Sequence, residues 1–362
     1  MTAQTSSALH KAPESTPERE AFYAKIEQNQ LKPLWTNLRG LSKFEPESQG
    51  LPMTWRYQDI RPLLFESVPL ISVEEAERRV LNLANPGYAP FPKITNSLMA
   101  GLQLVLPGEI APAHRHTPAA LRFVVEGSGA YTAVDGEKTE MKTGDFVITP
   151  GWTWHDHGNE TDTPMVWLDV LDVPIVSMLD AGFTEVYPED RQITGRPSGD
   201  SLARYGSGLL PVNYTREKLT SPIFNYPYAR TREALETMRR VEEWDACHGL
   251  KLQFVNPVNG DFAMPTLGVF MQLLPKGFTG APYRSTDGTV FSPIEGKGRT
   301  IVTGVDGKEV VLEWGAKDFF VVPAWMWHRH EADDDAVLFS ASDRATQQKL
   351  GLWREMRGNQ PG

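Results

Sequence analysis

Apolar and polar positions change period near residue 98. Upstream of it the spacing is helical: Ser15-Thr16-Pro17-Glu18 sets a capping hydroxyl, a first-turn proline and an acid in the order that opens a helix. Leu31, Leu34, Trp35 and Leu38 continue at helical intervals. Ser72-x-x-Glu75 opens a second, short helix, with its end expected at Asn85-Pro86-Gly87. From about Leu98 the chain turns to short runs rich in Val, Leu, Phe and Trp, broken by Pro-Gly, Asp-Gly and Thr-Gly turns. Such runs predict antiparallel β structure. Gly101 to Val173 reads as one β-barrel. A Pro- and Tyr-rich connector then leads to a helix-like stretch from Arg232 to Val241, a second set of strands from Leu252 to about Ser340, and a helix from Ala345 to Met356.

The two β segments repeat one another. Asp145, Pro150 and His155 recur at the same spacing as Asp318, Pro323 and His328, while Gly108, His114, His116, Ala120 and Gly127 correspond to Gly277, Tyr283, Ser285, Thr289 and Gly296. This spacing marks an internal duplication. The expected organisation is a tail and helical region over 1–90, a first barrel over 91–180, a connector with a helix over 181–250, a second barrel over 251–343, and a C-terminal helix and tail over 344–362.

The chemistry of the repeat is unequal. His114 and His116 stand at i and i+2, so on a strand they project to one face, and His155 on a distant strand can complete a three-imidazole set with open positions opposite. Any one of these residues alone reads as a buried, hydrogen-bonded core histidine. Together they predict a metal centre. The second copy has Tyr283 and Ser285 in the corresponding places, so His328 and His330 are expected to be structural and only the first barrel to bind metal. Ligand type does not choose between iron and zinc.

Composition narrows the function further. In 362 residues, 40% hydrophobic and 10% aromatic content supports a sizeable core, and Cys247 is the single cysteine, which excludes an internal disulfide and fits a reducing, cytoplasmic setting. The polar first fifteen residues predict a mobile tail rather than a signal peptide, and no apolar run has the length of a membrane span. A formal charge of −10 disfavours nucleic acid and repels anions at long range, so an anionic substrate needs local Arg or Lys.

The residues Gly108, His114, His116 and Gly127, followed by Gly144, Pro150, His155 and Asn159, match the two sequence motifs of the cupin superfamily. The chain therefore resembles a bicupin, mainly β, with two jelly-roll type barrels, an N-terminal helical region and connecting helices. Two departures stand out: Ala120 occupies the slot of a fourth, carboxylate ligand, and Trp152 a slot that is usually Gly. Three longer strings, His114 to Gly127, Asn82-Leu-Ala-Asn-Pro-Gly87 and Ser221 to Leu235, resemble gentisate 1,2-dioxygenases and, more distantly, their salicylate and 1-hydroxy-2-naphthoate relatives. The resemblance implies Fe(II) on His114, His116 and His155, and oxidative ring cleavage of gentisate (2,5-dihydroxybenzoate) by dioxygen to maleylpyruvate. It also implies a homotetramer with no organic cofactor. Salicylate or 1-hydroxy-2-naphthoate is the alternative substrate. A zinc or manganese cupin isomerase, or a non-catalytic bicupin that binds small molecules, is the alternative class, against which the missing acidic ligand at Ala120 argues.

Further site residues follow. Arg122 lies in an apolar run from Ala119 to Val125, where a guanidinium is costly without an anion, so it either meets a substrate carboxylate or turns to solvent or to Glu126. The resemblance places an arginine here on the substrate carboxylate, and another at Arg78, with Arg79 beside it as a competitor. His157, two residues after a ligand, is expected to hydrogen-bond substrate or dioxygen, or to orient its neighbours. Asp169 is expected to face inward toward a ring hydroxyl, Gln103 to line the pocket and Met99 to form an apolar wall. Met99 replaces an aromatic residue of the salicylate enzyme, which bears on substrate range.

Overall fold

The computed structural model describes residues 15–41, 43–214, 219–241, 243–304 and 306–358; the expected N-terminal tail, with His10, lies outside them. The chain divides at Pro46. In the first unit, Thr16 caps the helix Pro17–Gln28 by accepting from the backbone N–H of Arg19. The helix does not run on through Leu31 as the spacing predicts. Gln30 adopts φ 57° and Pro33 removes a donor, so a separate helix, Leu34–Leu41, follows.

From Glu47 onward the fold is two sandwiches of antiparallel sheets. The first pairs a six-stranded sheet containing Met99–Val105, Ala120–Glu126, Phe146–Thr149 and Met165–Leu171 with a five-stranded sheet containing Ile110–His116, Ser128–Val134 and His155–Gly158. The second repeats this arrangement with Gly268–Leu274, Thr289–Glu295, Phe319–Val322 and Ala336–Ser342 facing Tyr283–Ser285, Lys297–Thr303 and Trp327–Ala332. Among the described residues, no helix is long and apolar enough to cross a membrane.

Side-chain alternation puts both faces of each six-stranded sheet to use. Leu121, Phe123 and Val125 face the other sandwich, where Phe123 stacks on Phe339 at 4.0 Å and Phe146 meets Phe254 at 4.7 Å. Val124, Val147, Met165 and Trp167 point the other way into the first sandwich. Arg122 shares that inward face. Because the Phe123 strand is buried on both sides, the whole run reads as apolar, with Arg122 the exception. Phe123→Ala should cost about 3–5 kcal/mol, read as a lowered urea midpoint with gentle change in slope.

Several boundaries differ from the sequence expectation. The helix capped by Ser72 is only Val73–Ala76; Glu77 at φ 50° ends it, and Val80–Asn82 joins the first sandwich as an edge strand. Asn85-Pro86-Gly87 is instead the start of a short 3-10 turn. The connector helix starts earlier, at Tyr228–Met238. At the C-terminus the helix is Arg344–Lys349, and Glu355–Arg357 is a strand against Tyr283–Ser285.

The N-terminal region also holds a strand and helix, Met53–Trp55 and Tyr57–Glu66, that the sequence reading missed, and they reveal how the halves interlock. Met53–Trp55 pairs with Phe319–Val322 of the second sandwich, while Asn225–Tyr226, just before the connector helix, pairs with Phe146–Thr149 of the first. Asp318 accepts the backbone N–H of Tyr57 at 2.9 Å, and Asp145 that of Tyr228 at 2.9 Å. From the same helices, Tyr57 and Arg61 reach back to Glu126, and Tyr228 and Arg232 to Glu295. Each helix is thus tied at its start to one sandwich and by its side chains to the other. The repeated Asp145 and Asp318 are the capping anions of these two latches.

Candidate metal centre

His114 and His155 lie opposite one another in register on neighbouring strands, with a bulge between Ala111 and His114 that aims the ligand strand inward. The turn after Pro150 locks this geometry. A Cβ on Gly151 would sit 2.6 Å from the carbonyl oxygen of Thr117, and Trp152, at φ 61°, donates its backbone N–H to His116 O at 2.7 Å. That left-handed backbone is why the position is usually glycine. The Trp152 side chain is retained for another contact: Arg115 lies over Trp152 at 4.5 Å and over Trp154 at 4.6 Å. The second sandwich has the same clamp, with Trp325 donating to Ser285 O at 2.7 Å and Arg284 over Trp325 and Trp327. The clamp therefore belongs to the fold and positions whatever residues the strand carries.

One potential donor atom from each of His114, His116 and His155 lies within 4.8 Å of the others. Their Nδ1 atoms face the backbone oxygens of Pro112, Pro118 and Thr153 at 3.2, 2.7 and 2.9 Å. A carbonyl only accepts, so each Nδ1 carries its proton and each Nε2 presents a lone pair. At His114 a second contact, Arg78 Nη2 at 2.5 Å, asks for the opposite tautomer; the carbonyl contact shared by all three rings decides it. His155 Nε2 is buried with no hydrogen-bond partner. An orphaned nitrogen facing two others fits a divalent metal, and Ala120, buried, supplies no acid to the set.

The electrostatics agree. Burial, with Arg78 next in importance, holds His114 down at about 3, and burial also lowers His116 and drives His155 well below 6.5. Neutral imidazoles are the metal-binding form. Bound metal should persist on dialysis from pH 7 to pH 5, measured by elemental analysis, whereas loss of half the metal near pH 6.5 would contradict the lowered values. The sign for stability is the reverse of a carboxylate raised by its partners: the unfolded chain takes up these protons below about 6.5 and the folded chain does not, so stability is lost as pH falls through that value.

Arg122 is 4% exposed, which excludes the solvent-facing alternative, and Glu126 is engaged with Arg61 and Tyr57 instead. Its guanidinium donates through Nη1 to Thr149 Oγ1, and its Nε lies 3.5 Å from Asp169 Oδ1 with no hydrogen-bond partner. Asp169 faces inward directly across the sheet from Arg122, and accepts from Trp167 Nε1 at 3.1 Å. Burial pushes the Asp169 carboxyl up to about 6 against the pull of Arg122. Arg78 and Arg79 part company in their contacts. Arg79 pairs with Glu109 at 2.8 Å, whereas Arg78 donates to Pro112 O at 2.9 Å beside His114, and burial lowers it to about 10.

His157 is fully buried, its Nδ1 2.9 Å from Thr132 Oγ1 and its Nε2 without a partner. The Thr132 hydroxyl donates to Met141 Sδ at 3.3 Å, so it accepts from His157 and leaves Nε2 an acceptor. Gln103 is buried opposite Trp167, on the inward side of its strand with Val105. Met99 opens that strand, half-buried, on the same side. Thr149 and Thr132, which hold Arg122 and His157, escaped sequence reading because a lone threonine in a strand carries no local signal.

A cupin-domain family model matches residues 101–171, the segment that carries the triad. Gentisate 1,2-dioxygenase 1 of Aquipseudomonas alcaligenes is 56% identical over 95% of this chain and 98% of its own length. The 5-aminosalicylate 1,2-dioxygenase of a Comamonas species is 36% identical over 97% and 94%. Among solved structures, a single-residue variant of the salicylate 1,2-dioxygenase of Pseudoaminobacter salicylatoxidans, in complex with gentisate, superposes with a TM-score of 0.90 at 34% identity, covering 97% of this chain and 98% of that one. With its duplicated cupin sandwich, its three convergent imidazoles and full-length identity at this level, the chain belongs to the gentisate 1,2-dioxygenase family of bicupin ring-cleaving dioxygenases.

Proposed function

We propose that this protein cleaves gentisate with dioxygen between the ring carbon bearing the carboxylate and its hydroxylated neighbour, placing both oxygen atoms in the product, maleylpyruvate. The carrying observation is the set of three neutral imidazoles in the first sandwich beside a buried arginine whose Nε has no hydrogen-bond partner. The family relation, with 56% identity to the Aquipseudomonas gentisate enzyme, supports gentisate over a monohydroxylated acid.

His114, His116 and His155 would hold Fe(II). Bound there, the ion supplies the redox-active centre at which substrate and dioxygen meet. Three neutral donors leave its charge uncompensated, which favours an anionic chelating substrate. Arg122 and Arg78 neutralise and orient the carboxylate, and Thr149 and Asp169 fix the guanidinium of Arg122 so that little ordering remains on binding. His157 Nε2 offers an acceptor to a substrate hydroxyl, with Thr132 setting its tautomer. Gln103 and Met99 complete the polar and apolar lining, and Trp167 and Val124 help keep water out.

The family relation also supports a homotetramer in the cytoplasm, to be read by light scattering and cell fractionation. The substrate is tested by dioxygen uptake with gentisate, salicylate and 1-hydroxy-2-naphthoate in parallel. Fastest uptake with gentisate is expected; turnover confined to a monohydroxylated acid would keep the chemistry and overturn the substrate.

A further inference from the structure

The second sandwich keeps the clamp but not the metal ligands, and its interior is polar where the first has its triad. Lys251, on Leu250–Gln253, stands directly opposite Gln272 on Gly268–Leu274. The alternate positions Leu250, Val269, Met271 and Leu273 belong to the apolar layer between the sandwiches, so Lys251, Phe270 and Gln272 face inward. Tyr283 and His328 oppose one another in register on the facing sheet, and the Tyr283 ring packs at 4.4 Å on His248 and 5.5 Å from His328.

Lys251 differs from the neighbouring cations in its partners. Arg344 pairs with Asp287 at 3.3 Å, and Arg357 with Asp245 at 2.5 Å. Among the described residues Lys251 has no carboxylate within ion-pair distance; its ammonium lies 4.8 Å from the centre of the Phe270 ring. Gln272 is fully buried, its Nε2 spent on His248 O at 2.7 Å and its Oε1 without a partner. Lys251 and His328 nevertheless keep some accessible surface, whereas Gln272 and His330 have almost none. Lys251, which reaches the surface in part, and Gln272, with its orphaned buried acceptor, are therefore neighbours across two paired strands.

We infer that the second sandwich is a binding site for a small organic carboxylate, anchored by Lys251 and walled by Phe270, Tyr283, His248 and His328. The anion meets the ammonium in a low-dielectric interior, where a charge-assisted contact is strong, and the aromatic walls suit a flat acid whose free hydroxyl or water can serve Gln272 Oε1. Burial, with the nearby charge of Arg344 next in importance, pushes the Lys251 ammonium down to about 7, against support from Asp287 and Asp245. A bound carboxylate restores the charged form. A cation is excluded by the same residues: Tyr283 and Ser285 replace two ligands, and the first-sandwich triad is the only His, Cys, Asp or Glu group among the described residues that gathers donors for a metal. Duplication has turned a cation site into an anion site.

The test uses benzoate, which lacks the ortho hydroxyl needed to chelate a metal in the first sandwich. Calorimetric titration of benzoate into the whole metal-loaded protein at pH 6 should show binding that weakens about tenfold or more in Lys251→Met, persists in Lys251→Arg and persists in Arg122→Met. Gentisate turnover by Lys251→Met should equal that of the parent protein. On the unaltered protein, benzoate should also slow reductive methylation of Lys251, read by peptide mass spectrometry, which needs no variant to fold. Binding untouched by Lys251→Met, binding abolished by Arg122→Met, or no protection of Lys251 would each overturn the assignment.

Discussion

Replacing His116 with alanine is expected to remove bound metal and ring-cleaving turnover together. The centre has three donors, and Ala120 leaves no carboxylate to take over, so two imidazoles remain on an ion that prefers more. The lost ring also frees the carbonyl of Pro118, which His116 Nδ1 engages at 2.7 Å, but that oxygen can turn to water near the partly exposed site. The fold should survive, because the Arg115 and Trp152 clamp holds the strand independently of the imidazole, as its counterpart does around Ser285. Elemental analysis and dioxygen uptake on one sample read both effects. Full metal with full turnover would remove His116 from the ligand set.

Arg122→Ala carries the second large effect, and it has two parts. Loss of a charge-assisted contact to the substrate carboxylate should weaken substrate use by about 1.5–3 kcal/mol, roughly ten- to a hundredfold in kcat/KM. The substitution also strands Asp169, buried opposite, and breaking a buried pair costs about 3–5 kcal/mol of stability unless the carboxyl takes up a proton. With Asp169 already pushed up to about 6, protonation should spare part of that cost. Adding Asp169→Asn should recover stability without restoring kcat/KM. Recovery of both would assign Arg122 to packing alone.

The convergence of His114, His116 and His155 was legible because its signal is local. His114 and His116 share a strand face by simple alternation, and the Pro150 to His155 turn recurs as Pro323 to His328. The inward burial of Arg122 follows from a charge in an apolar run. What escaped depends on partners far away in sequence. Asp145 and Asp318 were visible as repeated punctuation, yet their work as caps for Tyr228 and Tyr57 is a pairing across scores or hundreds of residues. The repeat does leave a trace, Tyr57-x-x-x-Arg61-x-x-Leu64 against Tyr228-x-x-x-Arg232-x-x-Leu235, with both leucines fully buried. Period alone could not find the strand Met53–Trp55, which is three residues long and paired with the far sandwich. Nor could it stop the Ser72 helix at Ala76, since the left-handed Glu77 is dictated by the strand that follows. Arg78 and Arg79 are neighbours that point apart, and only Glu109 tells them apart.

Ring cleavage at the three imidazoles of the first sandwich has one direct test. Protein loaded anaerobically with Fe(II) and given gentisate should, on admitting air, consume dioxygen in step with the rise of maleylpyruvate absorbance, while metal-free protein stays silent. Substrate binding with no dioxygen uptake from a sample proven to hold iron would contradict the account and return the protein to a binding or isomerase role.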